Sequence, residues 1–299
     1  MRKYATILLL AVVIMIIAAF AVTNTLFVMQ RVATVDRAQG DVQIQPRGED
    51  GFKLLGQAQN VKTGDALRTG KDAWVELSWV DGTRLKLDPG TTMTIRKCTF
   101  NALHRVETSS FRVDIGRIWV RVIKALTRGS KFEVETPAAT AGIRGTVFAV
   151  EVAADGGTDI AVWDGSVAVA AGGAGTQIPG GQVAHVRADG SVAEVQPLSA
   201  DERALWQQQQ HLVAPYLSVD SPAEGAALSG NAIRIEGSTE PRAQVAVNGQ
   251  PVKTSLLGRF IVNLTVSSPE VLGEPPTITV VATDRHGAQT TVTRTLKRQ

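Results

Sequence analysis

Beyond residue 32 the chain alternates apolar and polar side chains with a period of two. Residues 131–135 set Phe132 and Val134 between Lys131, Glu133 and Glu135, and residues 147–152 repeat the pattern more loosely, so each predicts a strand with one buried face. Similar short runs occur at 33–35, 42–45, 74–79, 85–87, 93–95, 111–115, 118–122, 159–163, 167–171 and 182–187. At this spacing they predict an all-β domain, built as a sandwich, a roll or a helix. Asp-Gly at 81–82, 164–165 and 189–190 carries the composition of type I′ hairpin turns. Between 135 and 147 the chain reads as a loop crossing between strands. Pro137 fixes its own φ and biases Thr136 to extended geometry, while Gly142 and Gly145 offer positive φ.

Three segments depart from that pattern. Residues 4–30 hold no charged side chain, with Arg2 and Lys3 before them and Arg31 after. A helix over this run would reach ~40 Å, enough to cross the ~30 Å hydrocarbon layer of a bilayer. The expectation is a retained single-pass anchor in the inner or cytoplasmic membrane, with the bulk of the chain periplasmic or otherwise extracytoplasmic. The alternative is secretion after cleavage near Ala21, where Ala19 and Ala21 supply small residues. Apolar character resuming at Leu26, Phe27, Val28 and Met29 favours the anchor. Few residues precede the apolar run, too few to fold a cytosolic module. Next, Ser199 and Glu202 form a capping-box pattern ahead of a helix over 200–212, ended by Pro215. The helix is expected to pack Leu205 and Trp206 on a neighbour. Residues 216–299 return to short strands, seven of them with regularly spaced turns, the size and pattern of an immunoglobulin-like sandwich. The expected division is a membrane segment at 1–32, an all-β domain at 33–197, a linker helix at 198–215 and a second all-β domain at 216–299.

Charge adds one distinction. Residues 33–198 carry 19 basic and 19 acidic side chains and residues 199–299 carry nine of each, so both bodies are neutral and the pI near 9.1 gives no reason to expect nucleic acid. Within the first body, however, residues 84–131 hold 11 Lys or Arg against Asp88, Glu107 and Asp114, whereas 132–194 hold Arg144 and Arg187 against eight acids. Either strands of the two halves pair their charges across a sheet, or one face is basic and suits anionic envelope material. Cys98 is the one cysteine, has no intramolecular partner and sits in a strand pattern, so a buried, inert thiol is expected.

Candidate chemistry is sparse. His104, His185, His211 and His286 are scattered without metal-ligand spacing, and no GxSxG, Walker or Rossmann pattern occurs. The glycine-rich stretch 172–175 lacks the Lys-Ser or Lys-Thr of a phosphate cradle and reads as a flexible loop. The expectation is a non-enzymatic protein with no catalytic, cofactor-binding or metal residues. Trp74, Trp79, Trp119 and Trp163 lie in strands, where core packing competes with a sugar-stacking platform that would need two exposed indoles on one face.

The residues Thr136, Pro137 and Ala138, followed by Ile143, Arg144, Gly145, Thr146 and Phe148, resemble the signature of the FecR domain. Gly64-Asp65 with Leu67 and Thr69, Asp81-Gly82 with Leu85 and Leu87, and Pro179-Gly180-Gly181-Gln182 are similar to further elements of that family, and the resemblance spans roughly 33–197. The signature turn reads as structural, with Arg144 a clamp on Glu133, Glu135 or backbone carbonyls; the alternative is a guanidinium that grips an anion. Residues 216–299 resemble bacterial Ig-like modules similar to domain B of glucodextranase, on Val245, Val247, Asn248-Gly249, Phe260 and Asp284. The FecR resemblance implies envelope regulators that signal across a membrane. Because the segment ahead of the apolar run is so short, the preferred expectation is a tethered envelope protein that binds a polysaccharide or protein partner or serves as a scaffold. The alternative is an accessory sensor or regulator in a signalling complex of the FecR type.

Overall fold

A computed structural model describes residues 13, 15, 28–56, 59–122, 129–209, 212, 214–228, 232–240, 243–256, 258–265, 276–284 and 287–298. The anchor and cleavage readings of 4–30 lie outside these residues except at Val13, Met15 and Val28–Gln30. No helix among the described residues is long and apolar enough to cross a membrane. Val28–Gln30 is a strand antiparallel to the end of Thr92–Asn101, so the first β-body begins at 28 rather than 33 and the apolar run does not stay helical to residue 30. The chain divides into two compact units, Met1–Leu198 and Ser199–Gln299.

The first unit is all-β, as the alternation predicts, and is organised by one sixteen-residue strand, Val106–Arg121, which belongs to two sheets. Residues 106–115 lie in the first sheet, whose order is Lys53–Leu54, Val42–Gln45, Ala66–Thr69, Thr92–Asn101, the shared strand, Lys131–Glu135, Thr140–Ile143, Ser166–Ala171 and Ala174–Pro179. Residues 116–121 lie in the second, ordered Asn60–Val61, Ala33–Gln39, Trp74–Ser78, Arg84–Leu87, the shared strand, Val147–Val152, Thr158–Asp164, Gln182–Val186 and Gln196–Pro197. With Val28–Gln30 added along the end of Thr92–Asn101, the first sheet takes five strands from before the shared strand and the second takes four; each takes four from after it, and neither closes on itself. The pairing of 108–112 with Lys131–Glu135 is parallel because the chain passes through the second sheet before it returns to the first. The bend falls at Gly116, whose φ of +89° suits a residue without Cβ.

Three local expectations are corrected. At 81–82 and 189–190 the aspartates keep negative φ, and the turns are three-residue loops with a glycine bulge. Gly82 N–H donates to Trp79 O and Gly190 N–H to Arg187 O, each at 2.8 Å, while Trp79 N–H reaches Thr83 O at 3.0 Å and Arg187 N–H reaches Ser191 O at 2.9 Å. Asp189 also accepts from Ser191, which holds its carboxyl below the usual range. The pair at 164–165 makes no hairpin, because Thr158–Asp164 belongs to one sheet and Ser166–Ala171 to the other. Finally, Thr140–Ile143 is a strand, not loop; Ala141 and Ile143 bury one face of it, and Gly142 pairs with Glu133 without positive φ.

Both sheets bury their inner faces in one core. Four aromatic rings span it. Trp79 meets Phe111 edge-on at 5.6 Å, Phe111 meets Phe132 at 5.2 Å, and Phe132 meets Phe148 edge-on at 6.4 Å. Cys98 is in the same core with its sulfur 3.8 Å from the Ser109 hydroxyl. Burial pushes the thiol pKa up, opposed by the Arg31 guanidinium. Because the folded value exceeds the unfolded one, the thiol's contribution to stability is full below the ordinary thiol pKa and is lost as pH rises above it. Native Cys98 is accordingly expected to resist iodoacetamide near pH 8 and to react once urea unfolds the unit, read by intact mass. Equal rates in both states would contradict this burial.

In the second unit, Ala200–Gln208 is a helix that begins at the expected capping box: Ser199 Oγ accepts from Glu202 N–H at 3.1 Å and Glu202 from Ser199 N–H at 2.6 Å. It ends four residues earlier than predicted, with Trp206 buried. A three-stranded sheet (Leu217–Ser221, Ala232–Thr239, Arg259–Thr265) and a four-stranded sheet (Gln250–Val252, Gln244–Val247, Thr277–Thr283, Gln289–Thr295) bury one core that includes Ile235, Val247, Phe260, Ile278 and Val280. Asn248-Gly249, both at positive φ, form its two-residue hairpin turn.

Candidate functional site

The signature residues fall at both ends of the short strand Thr140–Ile143. At one end, Pro137 and Ala138 are the centre of a tight turn. Thr136 N–H donates to Ala139 O at 2.8 Å, and the buried Thr136 hydroxyl accepts from Ala139 N–H at 3.0 Å and from Thr158 Oγ1 at 3.0 Å. Across from it, Thr140 pairs with Ala170. The turn 136–140 and the loop 170–175 thus form the walls of an open depression of about 560 Å³. Its lining is small side chains and backbone, with Thr140 supplying an exposed hydroxyl. It offers shape and backbone hydrogen bonds, not an acid, base or nucleophile. The stretch 172–175, expected as a free loop, is a turn between paired strands that forms one wall.

At the other end, Arg144, Gly145 and Thr146 carry the chain from the first sheet to the second. Two further crossings stack beside this one, at Gly165 and at Gly180-Gly181. The Thr146 hydroxyl donates to Ser166 O at 2.9 Å, Gly180 N–H to Gly165 O at 2.9 Å and Gly181 N–H to Val162 O at 2.7 Å. Gly165 has φ of +91°, and a Cβ there would stand 2.7 Å from Gly145 O. The motifs at 144–146, 164–166 and 179–182, far apart in sequence, are therefore one packed corner. Phe148 follows directly into the core, fully buried. Thr146→Val, which removes a buried donor and leaves Ser166 O without it, is expected to cost about 1–3 kcal/mol. Urea unfolding checks this, and an unchanged midpoint would show that the corner does not depend on the hydroxyl.

The Arg144 clamp is not made. The side chain is exposed, Glu133 lies 3.9 Å from Lys131, and Glu135 takes the Ser110 hydroxyl at 3.1 Å and Arg96 at 4.0 Å. Strand polarity explains this: Arg144 lies past the end of its strand, beyond the level at which both glutamates pair with Thr140 and Gly142. Charge pairing between the two halves does occur, in Arg117 with Glu151 and Arg96 with Glu135. Asp65, in the upstream motif, is buried and accepts from Arg47 and Lys62 N–H at 3.0 and 2.8 Å, a role in turn formation.

Trp79 and Trp119 are buried, and the partly exposed Trp74 and Trp163 stand four strands apart, about 19 Å at the usual strand spacing, so they form no common platform. His185 Nδ1 sits 2.5 Å from Asp159 across paired strands, both half exposed. His211 and His286 lie outside the described residues. Among the described residues, no three of His, Cys, Asp and Glu gather about one point that would hold a metal ion.

The geometry defines a compact all-β domain whose motifs build corners and one open depression. Residues 65–168 match the FecR protein family, so the chain carries a FecR domain over that span. No curated protein matches the chain. Two solved structures of a putative anti-sigma factor from Parabacteroides distasonis are similar at 19% and 15% identity, each with a TM-score of 0.39. The first covers 48% of this chain and 64% of its own length; the second covers 69% and 86%. A Bacteroides ovatus mixed-linkage glucan utilization protein, SGBP-B, solved with a heptasaccharide, is similar at 12% identity and a TM-score of 0.21, covering 88% of this chain and 61% of its own. Scores this low do not establish a shared fold.

Proposed function

We propose that this protein is the extracytoplasmic sensing component of a transmembrane signalling complex, held to the membrane by the uncharged run ahead of residue 28 and acting by binding rather than by chemistry. The observation that carries the reading is the FecR match over 65–168, supported by the uncharged run ahead of it. In this reading the depression between 136–140 and 170–175 receives the signal, and the second unit, an Ig-like accessory module, extends the binding surface. Crosslinking in intact cells followed by capture tests it. The expected result is a membrane signalling protein with a cytosolic effector region, whose recovery falls when Thr140→Arg fills the depression. Recovery of envelope glycan alone, with no signalling protein, would instead establish the tethered binding or scaffolding protein.

A further inference from the structure

Strand pairing in the first unit begins inside the uncharged run. Val28–Gln30 is already paired with residues 99–101, and Arg31 N–H donates to Cys98 O at 2.9 Å. The Arg31 guanidinium then pairs with Asp81, lies 3.7 Å from Glu107 and donates to the Ser109 hydroxyl at 3.1 Å, which ties three neighbouring elements to the first ordered residues. The chain therefore enters the first unit at this end of the domain.

That end presents apolar side chains to solvent. Val28 pairs with Asn101, the residue that opens the hairpin to Val106, and Leu103 at the hairpin tip is 53% exposed, as is Met29. His104 and Arg105 stand next to Leu103 in the same turn, with Arg105 at φ of +54°. Registers through Ile143 and Val167 put exposed Arg144 toward the same end, on the neighbouring strands. An apolar tip flanked by cationic side chains is the composition that settles at the boundary between headgroups and acyl chains, where Leu is buried and Arg meets phosphate.

We infer that the hairpin Asn101–Val106 is a second membrane contact: Leu103, with Met29 on the adjoining strand, inserts into the interfacial layer of the bilayer that holds the uncharged run ahead of residue 28, and Arg105 lies among the headgroup phosphates. The inference rests on the anchored reading above. It makes the attachment a two-point seat that fixes the orientation of the unit and holds the depression, at the opposite end of the strands, away from the membrane.

The test uses the full chain in vesicles of phosphatidylethanolamine and phosphatidylglycerol, with nitroxide labels at Leu103→Cys, Met29→Cys and, at the far end, Ala188→Cys. All three sites are exposed, and buried Cys98 is not labelled. The expected result is a several-fold preference for dissolved oxygen over an aqueous nickel complex at 103 and 29, with the opposite at 188. Vesicle-bound protein with an intact amino terminus but aqueous behaviour at 103 overturns the inference and leaves the anchor standing. Protein that does not float with the vesicles, or begins near Val22 by mass, overturns both.

Discussion

Truncating Phe111 to alanine is expected to lower the unfolding free energy of the first unit by about 3–5 kcal/mol, the usual cost of removing a buried ring. Phe111 is fully buried and is the middle link between Trp79 and Phe132, so its loss also removes two ring contacts worth roughly 0.5–1.5 kcal/mol each beyond area. The cavity cannot collapse easily, because Phe132 is fixed by its strand and Trp79 by the closed turn that it opens. Leu54→Ala, at an exposed edge position, serves as the control and should change stability by less than about 0.5 kcal/mol. Urea or thermal unfolding reads both. If Phe111→Ala behaved like the edge control, the aromatic row would not be what joins the two sheets.

Gly116→Ala is expected to be nearly as damaging, at roughly 2–5 kcal/mol, although it adds a single methyl group. Part of that cost is the left-handed backbone, about 1–2 kcal/mol for an L-residue. The rest is overpacking, about 1–3 kcal/mol. An added Cβ would lie 2.5 Å from Thr91 Cα and Oγ1 and 2.8 Å from Gly90 O. Thr91 cannot yield, since it is fully buried and its hydroxyl accepts from Arg117 N–H at 3.0 Å and donates to Asp88 O at 2.7 Å. Unfolding in urea measures the cost, and a loss below about 1 kcal/mol would mean that the bend can move.

Period-two alternation made most strands and the buried side chains legible, because half-buried strands must place apolar residues at every second position. Short residues hid what it missed. Thr140–Ile143 contains Ala and Gly, too small to register as an apolar run, and only its pairing with two longer strands reveals it. The shared strand was read as two, at 111–115 and 118–122, because Gly116 interrupts the alternation at the bend. The Asp-Gly pair at 164–165 has the composition of a hairpin, and only the sheet membership of its flanking strands shows it to be a crossing. For the candidate site, the signature marks the stretch that lines one wall of the depression. It could not show that Thr136 and Thr146 serve opposite ends, or that residues 170–175 form the facing wall, since that depends on register between strands distant in sequence.

Carrying both sheets on Val106–Arg121 leaves the domain without a seam. For its two halves to swing apart as jaws around a ligand, the strand pairings on both sides of this one continuous strand would have to be disrupted. In the proposed sensing role, a signal received at one extremity would accordingly be passed on by tilting or displacing the whole body, much as a lever transmits load without flexing.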